Sequence, residues 1–569
     1  MRKSALQLYA PFLVLALVQA LLIAVAPSRG PGSDLSTGPG LSSNGSLGND
    51  TGTGAGSDIG SGTGTGVGTS GSGTGSGSGT GTGTGGVNGT GSGVTNTPGN
   101  VAGDTSHCTA NGRQFAITRV GPPCKAKWPA GANNGGATYQ GVTDKEIKII
   151  VFSSIPNEQV DAILATQGLA VSPEENTASL NAYFAFANKH FETYGRKIVF
   201  KQIEGDCPTT PPDYDRCLAA AREVTKEKPF AVIWATPLYA SVFDVWAKAG
   251  IIGIGGWHFD SSLFNQRRPF RYDVFMDGTQ SADIIAEYYC KKMAGKPADH
   301  AGISIHPTIG GRNTKRKLGI AVPEIEANVL TAKRVASQVK ACGGGDTLIR
   351  TYESNIETAT QQTQATVNAL VAAKVTTVAC MCDPIAPAFL TKGMTGNGYF
   401  PEFLMPGLGL LDYDKLGRLY DQKQMQHAFG PSHLGLNIPL DDTDQARAWR
   451  DVGNKGHPCG DNGCGIGWAY VSFLGTMIQM AGPALNPLTV ERGVLQDLPE
   501  SGGVPDAPLG NFGPNDYTGL GDAKEVYWSN SAPSALDGKP GAFIPINGGK
   551  RYRLGQWSTG LSGIPVEPK

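Results

Sequence analysis

Histidine is scarce in this chain, eight among 569 residues, and no histidine–carboxylate pair stands out. No HExxH is present, no phosphate-cradling GxxxxGK, and no GxGxxG after a strand in the folded part, so zinc-protease, P-loop and dinucleotide-binding chemistry lose their usual signatures. Gly430-Pro431-Ser432-His433-Leu434 comes near a nucleophile elbow but carries Leu434 where a second glycine must allow the sharp turn. Charge of one sign is also missing. Removing Arg2 and Lys3 from the 47 basic residues leaves 45 against 48 acidic ones, with no basic stripe, which excludes nucleic acid as the expected partner. The short run Lys315 to Lys317 reads as a solvated helix face. The chain is therefore read as non-enzymatic, with no cofactor and no metal.

Cysteine and glycine, by contrast, are plentiful. Ten cysteines fall into near neighbours: Cys108 and Cys124, Cys207 and Cys217, Cys290 and Cys342, Cys380 and Cys382, Cys459 and Cys464. An even count in an exported chain reads as disulfides. Sequence alone does not fix the pairing, and nearest-neighbour bridges are the preferred scheme. The rival at His457-Pro458-Cys459 to Cys464 is a structural metal, but it lacks a second half-site. Export itself is read from Arg2 and Lys3 followed by an apolar stretch, Ala5 to Ala26. At about 20 residues that stretch is also long enough to span a bilayer, so residues 1–29 are a cleaved signal or a retained anchor. No cysteine precedes Cys108, which argues against a lipid anchor. Residues 30–105 are almost entirely Gly, Ser and Thr and cannot bury a core, which makes them a flexible linker of roughly 45–50 Å mean span.

The folded body starts near Ser106 with a small Cys-bracketed piece, 106–140. Strand-like apolar runs then alternate with helical patterns. Glu146 to Phe152 is a strand, and Thr177 to Tyr194 a helix with Leu180, Tyr183, Phe184, Ala187 and Phe191 at helical spacing. Lys197 to Ile203, Phe230 to Trp234, Ile251 to Ile254 and Ala301 to Ile305 follow as strands, with helices at Arg216–Glu227, Leu238–Ala249 and Ser281–Met293 between them. Val375 to Met381, a turn through Asp383-Pro384-Ile385-Ala386-Pro387, a short helix and Tyr399 to Met405 make one strand–helix–strand crossover. This alternation means an α/β parallel sheet covered by helices. After Gly430 the pattern loosens to helices at Asp442–Val452 and Gly467–Ala481 and a tail of loops and short strands.

In open parallel sheets ligands sit beyond the carboxyl ends of the strands. Those ends here carry Ser153 and Ser154, then Thr236, then Gly256 with Trp257 and His258, then His306, and finally Asp383. Hydroxyls and helix-start N–H groups hold carboxylates, Trp257 offers an aromatic wall, and Asp383 accepts from an ammonium or hydroxyl. Strand-end Thr and Asp also serve as plain helix caps, and a Trp after glycines is often core.

From about Gly141 onward the segments GVTDKEIKI, YFAFANKHFETYGRKIVF, AREVTKEKPFAVIWA, DPIAPAFLTKG with GYFPEFLM, and the late DGKPGAFIPINGGKRY resemble the type I periplasmic solute-binding family. The likeness is to its branched-chain amino-acid-binding class and to actinobacterial members in particular. The resemblance implies a two-lobed periplasmic binding protein type I fold, each lobe a parallel sheet flanked by helices, joined by a three-crossing hinge. Lobe one would comprise 141–276 with 434–510, and lobe two 277–433 with 511–569. It further implies capture of a small molecule, an amino acid or related polar or aromatic solute, for an ABC transporter permease. In amino-acid-binding members hydroxyls after the third and fourth strands meet the ligand carboxylate. Thr236 fills the first place, but Gly256-Trp257-His258 offers no hydroxyl at the second. The expected ligand contacts are thus Ser154, Thr236, Trp257, His258, His306 and Asp383. The expected location is extracytoplasmic, at the cell surface, with membrane association through the N-terminal segment if it is uncleaved. A ligand-sensing receptor subunit and a stalked surface-adhesion protein are the alternatives on the same fold.

Overall fold

The computed structural model describes residues 103–119, 121–235, 239–256, 259–496 and 512–566. The N-terminal segment, nearly all of the linker, and Thr236, Trp257 and His258 lie outside the described residues.

The first sheet is built by β1 (Glu146–Ile155), followed by α1 (Glu158–Ala165) and α2 (Pro173–His190), then β2 (Lys197–Pro208), α3 (Tyr214–Lys226), β3 (Ala231–Trp234), α4 (Ala240–Lys248), β4 (Ile252–Ile254), α5 (Ser261–Gln266) and the short β5 (Arg271–Tyr272). The strand order is β2-β1-β3-β4-β5, all parallel. Pro173 opens α2 and a capping box between Ser172 and Glu175 satisfies its first N–H groups. The buried face of α2 is Leu180, Tyr183, Phe184, Phe186 and Ala187, close to the set its helical spacing picks out. Trp234, Phe243 and Trp246 form the aromatic centre of this lobe, each essentially sealed from solvent.

The second sheet follows α6 (Gly278–Lys292). It comprises β8 (Leu318–Pro323), α7 (Glu326–Ala341), β9 (Leu348–Tyr352), α8 (Ala359–Ala372), β10 (Thr377–Cys380), α9 (Ala386–Gly396), β11 (Glu402–Leu404) and β12 (Ala428–Ser432). Two short strands that precede it, β6 (Ser304–His306) and β7 (Gly310–Gly311), pair only with each other. The main sheet runs β12-β11-β10-β8-β9 in parallel. It is buried on both faces, and the strand period shows it. Leu318, Ile320 and Val322 of β8 pack on one side and Ala321 on the other, and Val378 and Cys380 oppose Ala379 and Met381 in the same way.

The chain then returns to the first lobe through α10 (Asp444–Asp451), α11 (Gly465–Ala481) and α12 (Pro487–Leu495), with α10 and α11 packing on α2. It ends in the second sheet as β13 (Asp522–Pro533), β14 (Pro540–Pro545) and β15 (Arg551–Arg553), all antiparallel additions beside β12. Three crossings therefore join the lobes, and the first and third run side by side: the Asp273 N–H donates to the Tyr517 carbonyl at 3.0 Å. The second is clamped where it leaves the second sheet, by residues of that same sheet. Lys524 Nζ donates to Ser432 Oγ (2.9 Å) and to the Leu434 and Gly435 carbonyls (2.7 and 2.9 Å), while Arg551 reaches the His433 and Leu434 carbonyls, both at 2.8 Å.

All five disulfides join the nearest-neighbour cysteines. The Cys459–Cys464 bridge removes the metal alternative there, because disulfide sulfurs are not thiolate ligands. Three other sequence expectations are corrected. Lys315 to Lys317 is no helix face but the lead into β8, and Arg316 is buried in an ion pair with Glu402 at 2.6 Å and with Asp299. The strand near Ala301 to Ile305 narrows to Ser304–His306 and stays off the main sheet. The tail, read as loops and short strands, includes one long strand of 12 residues that joins that sheet. Among the described residues no helix is long and apolar enough to cross a membrane.

Candidate functional site

A cleft of about 460 Å³ opens between the two lobes at the carboxyl ends of both parallel sheets. One wall is the end of β1 (Ser153, Ser154, Ile155, Pro156), the α1 face with Val160, Asp161 and Leu164, and Thr209 and Thr210 after β2. The other is Ala321 and Ile325, the β9 end from Tyr352 to Ile356, the α8 residues Thr363 and Thr366, and the β10 end from Asp383 to Ala386 with Phe389 and Leu390 of α9. A smaller recess of about 230 Å³ adjoins it, sharing Asn157, Thr210, Asn355 and Ile356 and adding Glu158 and Glu357.

Two of the expected ligand residues meet in this cleft. Ser154 lines the first wall, where its Oγ accepts from the Trp234 indole N–H at 3.3 Å and keeps its own proton to donate. Asp383 lines the second wall and is also a helix cap. Its Oδ1 accepts the Ile385 and Ala386 N–H groups, both at 2.9 Å, at the start of α9. Its Oδ2 accepts from the Tyr352 hydroxyl at 2.9 Å and from Ser354 Oγ at 3.3 Å. Burial, with Asp383 beside it, pushes the Tyr352 phenol well above its ordinary range, so it stays a neutral donor.

His306 is a correction. It does not line the cleft; its Nδ1 faces Thr308 Oγ1 at 2.8 Å and its ring lies 6.5 Å from that of Tyr399. The physical reason is that β6 pairs only with β7, so its end does not reach the crevice of the main sheet. The calls on Thr236, Trp257 and His258 fall outside the described residues. Gly256, next to them, is required by space: a Cβ there would stand 1.8 Å from Arg271 Nη2, and its φ of +115° suits glycine.

Sequence reasoning missed the lid. Residues 157 to 169 leave β1 and cross to the second lobe, where Leu164 packs against the core and Leu169 is 8% exposed within it. Asn157 caps α1 by accepting the Gln159 and Val160 N–H groups (3.0 and 3.1 Å), and Asn462 Nδ2 holds the Leu169 carbonyl at 2.7 Å. The signal was present: an Asn cap followed by Val160, Ile163 and Leu164 at i, i+3 and i+4. Also missed was Gln362, whose amide brackets the Glu353 backbone (2.7 and 3.2 Å) and fixes the loop after β9.

Among the described lining residues there is no histidine, cysteine, lysine or arginine; the walls are aliphatic and phenylalanine side chains with hydroxyls, amides and carboxylates between them.

No protein-family model matches the sequence, and no curated protein matches it. Solved structures do resemble it. A fatty acid ABC transporter substrate-binding protein from Thermomonospora curvata superposes with a TM-score of 0.52 at 13% identity, over 78% of this chain and 99% of that one. A solute-binding protein of an ABC transporter from R. palustris, in complex with 4-hydroxybenzoate, gives 0.49 at 13% identity, over 73% and 99%. A periplasmic binding protein type 1 from Bordetella pertussis Tohama I gives 0.49 at 15%, over 71% and 100%. With two parallel sheets, three crossings and a cleft at the strand ends, the chain has the two-lobed type I periplasmic binding protein fold.

Proposed function

We propose that this protein is an extracytoplasmic solute-binding protein that captures a small molecule between its lobes and delivers it to an ABC transporter permease. The observation that carries the reading is the cleft of about 460 Å³ whose walls come from the strand ends of both sheets, so that closing the lobes buries whatever it holds. The fold is shared with the Thermomonospora curvata substrate-binding protein described as a fatty acid binder. That likeness, with the aliphatic and phenylalanine walls, supports a ligand with an apolar body. Lobe one would be 141–276 with 434–510, and lobe two 277–433 with 511–569. The five disulfides support an oxidising, extracytoplasmic location. Residues 1–29 would export the chain or tether it to the membrane, with the linker as a stalk.

The test is thermal unfolding of the full-length protein, disulfides intact, against a panel of amino acids, aliphatic and aromatic acids, amines, alcohols, amides and sugars. A ligand at about 100 times its Kd adds roughly 2.7 kcal/mol and raises the midpoint. No shift across the panel, after unfolding and refolding to strip carried-over ligand, would refute the reading.

A further inference from the structure

We propose that the cleft selects a non-anionic apolar molecule, best an amine-bearing one, and discriminates against a free carboxylate; the inference rests on the solute-binding reading and names its substrate class.

Three observations carry it. The first is the walls. Ile155, Val160, Leu164, Ile325, Ile356 and Phe389 surround the volume from both lobes, so the body of the ligand is apolar.

The second is the sign of the charge. The charged side chains among the described lining residues are Asp161, Glu353 and Asp383, and the adjoining recess adds Glu158 and Glu357. None of the five forms an ion pair with a basic side chain among the described residues. Glu158 and Asp161 sit in the first turn of α1, where the helix dipole favours them. That explains their place in the sequence but leaves their field on the mouth unchanged. Between low-dielectric walls such a field is focused, concentrating cations and repelling anions.

The third is the fate of the helix-start N–H groups, the usual anion holders of such clefts. At α1 the Gln159 and Val160 N–H groups are taken by Asn157 Oδ1. At α9 those of Ile385 and Ala386 are taken by Asp383 Oδ1, which is itself a carboxylate. At α8 Glu357 stands just ahead of the first turn. A ligand carboxylate would therefore meet three acidic side chains, with the first N–H groups of α1 and α9 already taken and only the starts of α7 and α8, at Ile325 and Thr358, without a side-chain cap. An ammonium would meet carboxylates that have no basic partner, and an alcohol would meet the hydroxyls of Ser154 and Thr210.

The experiment uses two matched series with one apolar body each: 3-phenylpropylamine, 3-phenylpropanol and 3-phenylpropanoate, then decylamine, decanol and decanoate. Each is titrated calorimetrically into the full-length protein at neutral pH, in low and high salt. The expected order is amine, alcohol, carboxylate, with the amine at least about fivefold tighter than the acid. High salt and the double substitution Asp161→Asn/Glu353→Gln should both narrow that gap. A carboxylate that binds as tightly as its amine overturns the charge selection and leaves solute binding standing. If none of the six binds but a compound of the broader panel does, an anionic winner also overturns it and a cationic or neutral one supports it. No binding by any probe or panel member overturns the solute-binding reading itself.

Discussion

Tyr352 and Asp383 exchange two hydrogen bonds across the top of the second sheet: the phenol donates to Oδ2 and receives the Asp383 N–H, both at 2.9 Å. The two residues close β9 and β10, which are separated by β8, so the pair ties together strands that do not touch. It also orients the carboxylate that caps α9.

Removing the carboxylate costs both roles. Asp383→Ala should destabilise the protein by about 1–3 kcal/mol, through a lost cap and an orphaned Tyr352 hydroxyl. It should also weaken ligand binding by a similar amount. Tyr352→Phe keeps the cap and should cost about 1–2 kcal/mol. Urea unfolding gives the first quantity and calorimetric titration the second. Wild-type stability in both variants would contradict the coupling.

The lid gives a separate expectation. Leu169→Ala removes a nearly buried side chain from the second lobe's core and should cost about 2–3 kcal/mol in unfolding. Because the lid also forms a wall of the cleft, ligand dissociation should accelerate. Stopped-flow release of a bound ligand reads that directly, and an unchanged off-rate would show that the lid does not hold it.

The hinge carries a pH signature. Burial, with Arg551 and Lys524 nearby, pushes the His433 imidazole from 6.5 down to about 3. Between these values the unfolded chain binds a proton that the folded protein refuses. The contribution of His433 to stability is thus fully present above about pH 6.5 and is lost as the pH falls toward 3. The stability difference between wild type and His433→Gln should shift by on the order of 2 kcal/mol from pH 7 to pH 5, in the direction of wild-type loss. Paired denaturation curves at the two pH values measure it, and a constant difference would mean that His433 titrates normally.

The disulfides should separate by loop length. Chain-entropy arguments assign about 4 kcal/mol to Cys290–Cys342, which are 52 apart in sequence, and about 1.5 kcal/mol to Cys380–Cys382, 2 apart. Replacing the second pair with alanines should therefore cost little in unfolding yet weaken binding, because Asp383 follows Cys382 directly. Equal losses of stability in the two double variants would argue against this division.

The sheet was readable in the sequence wherever a β-branched run and a helical period alternated, as in 146–152 and 375–405. It was not readable where a strand is short and its neighbours decide its partners. Ser304–His306 has strand character, but pairing with Gly310–Gly311 diverts it, and His306 with it, from the crevice. Leu318–Pro323 was hidden behind a basic run whose Arg316 is neutralised by Glu402, a partner 86 residues away. That Ser154 and Asp383 would line the cleft was legible because strand ends are fixed by topology. The lid was not, since α1 buries none of its own residues fully and its apolar face turns to the cleft and the other lobe.

The threefold crossing also dictates an order of assembly. The first sheet cannot be covered until α10, α11 and α12 have been made, and the second is not finished until β13 and β15 arrive, more than 200 residues after its first strand, β8. Neither core can close on a partial chain. Folding of either lobe therefore waits for contacts that are distant in sequence, and both cores close late, when nearly the whole body has been made.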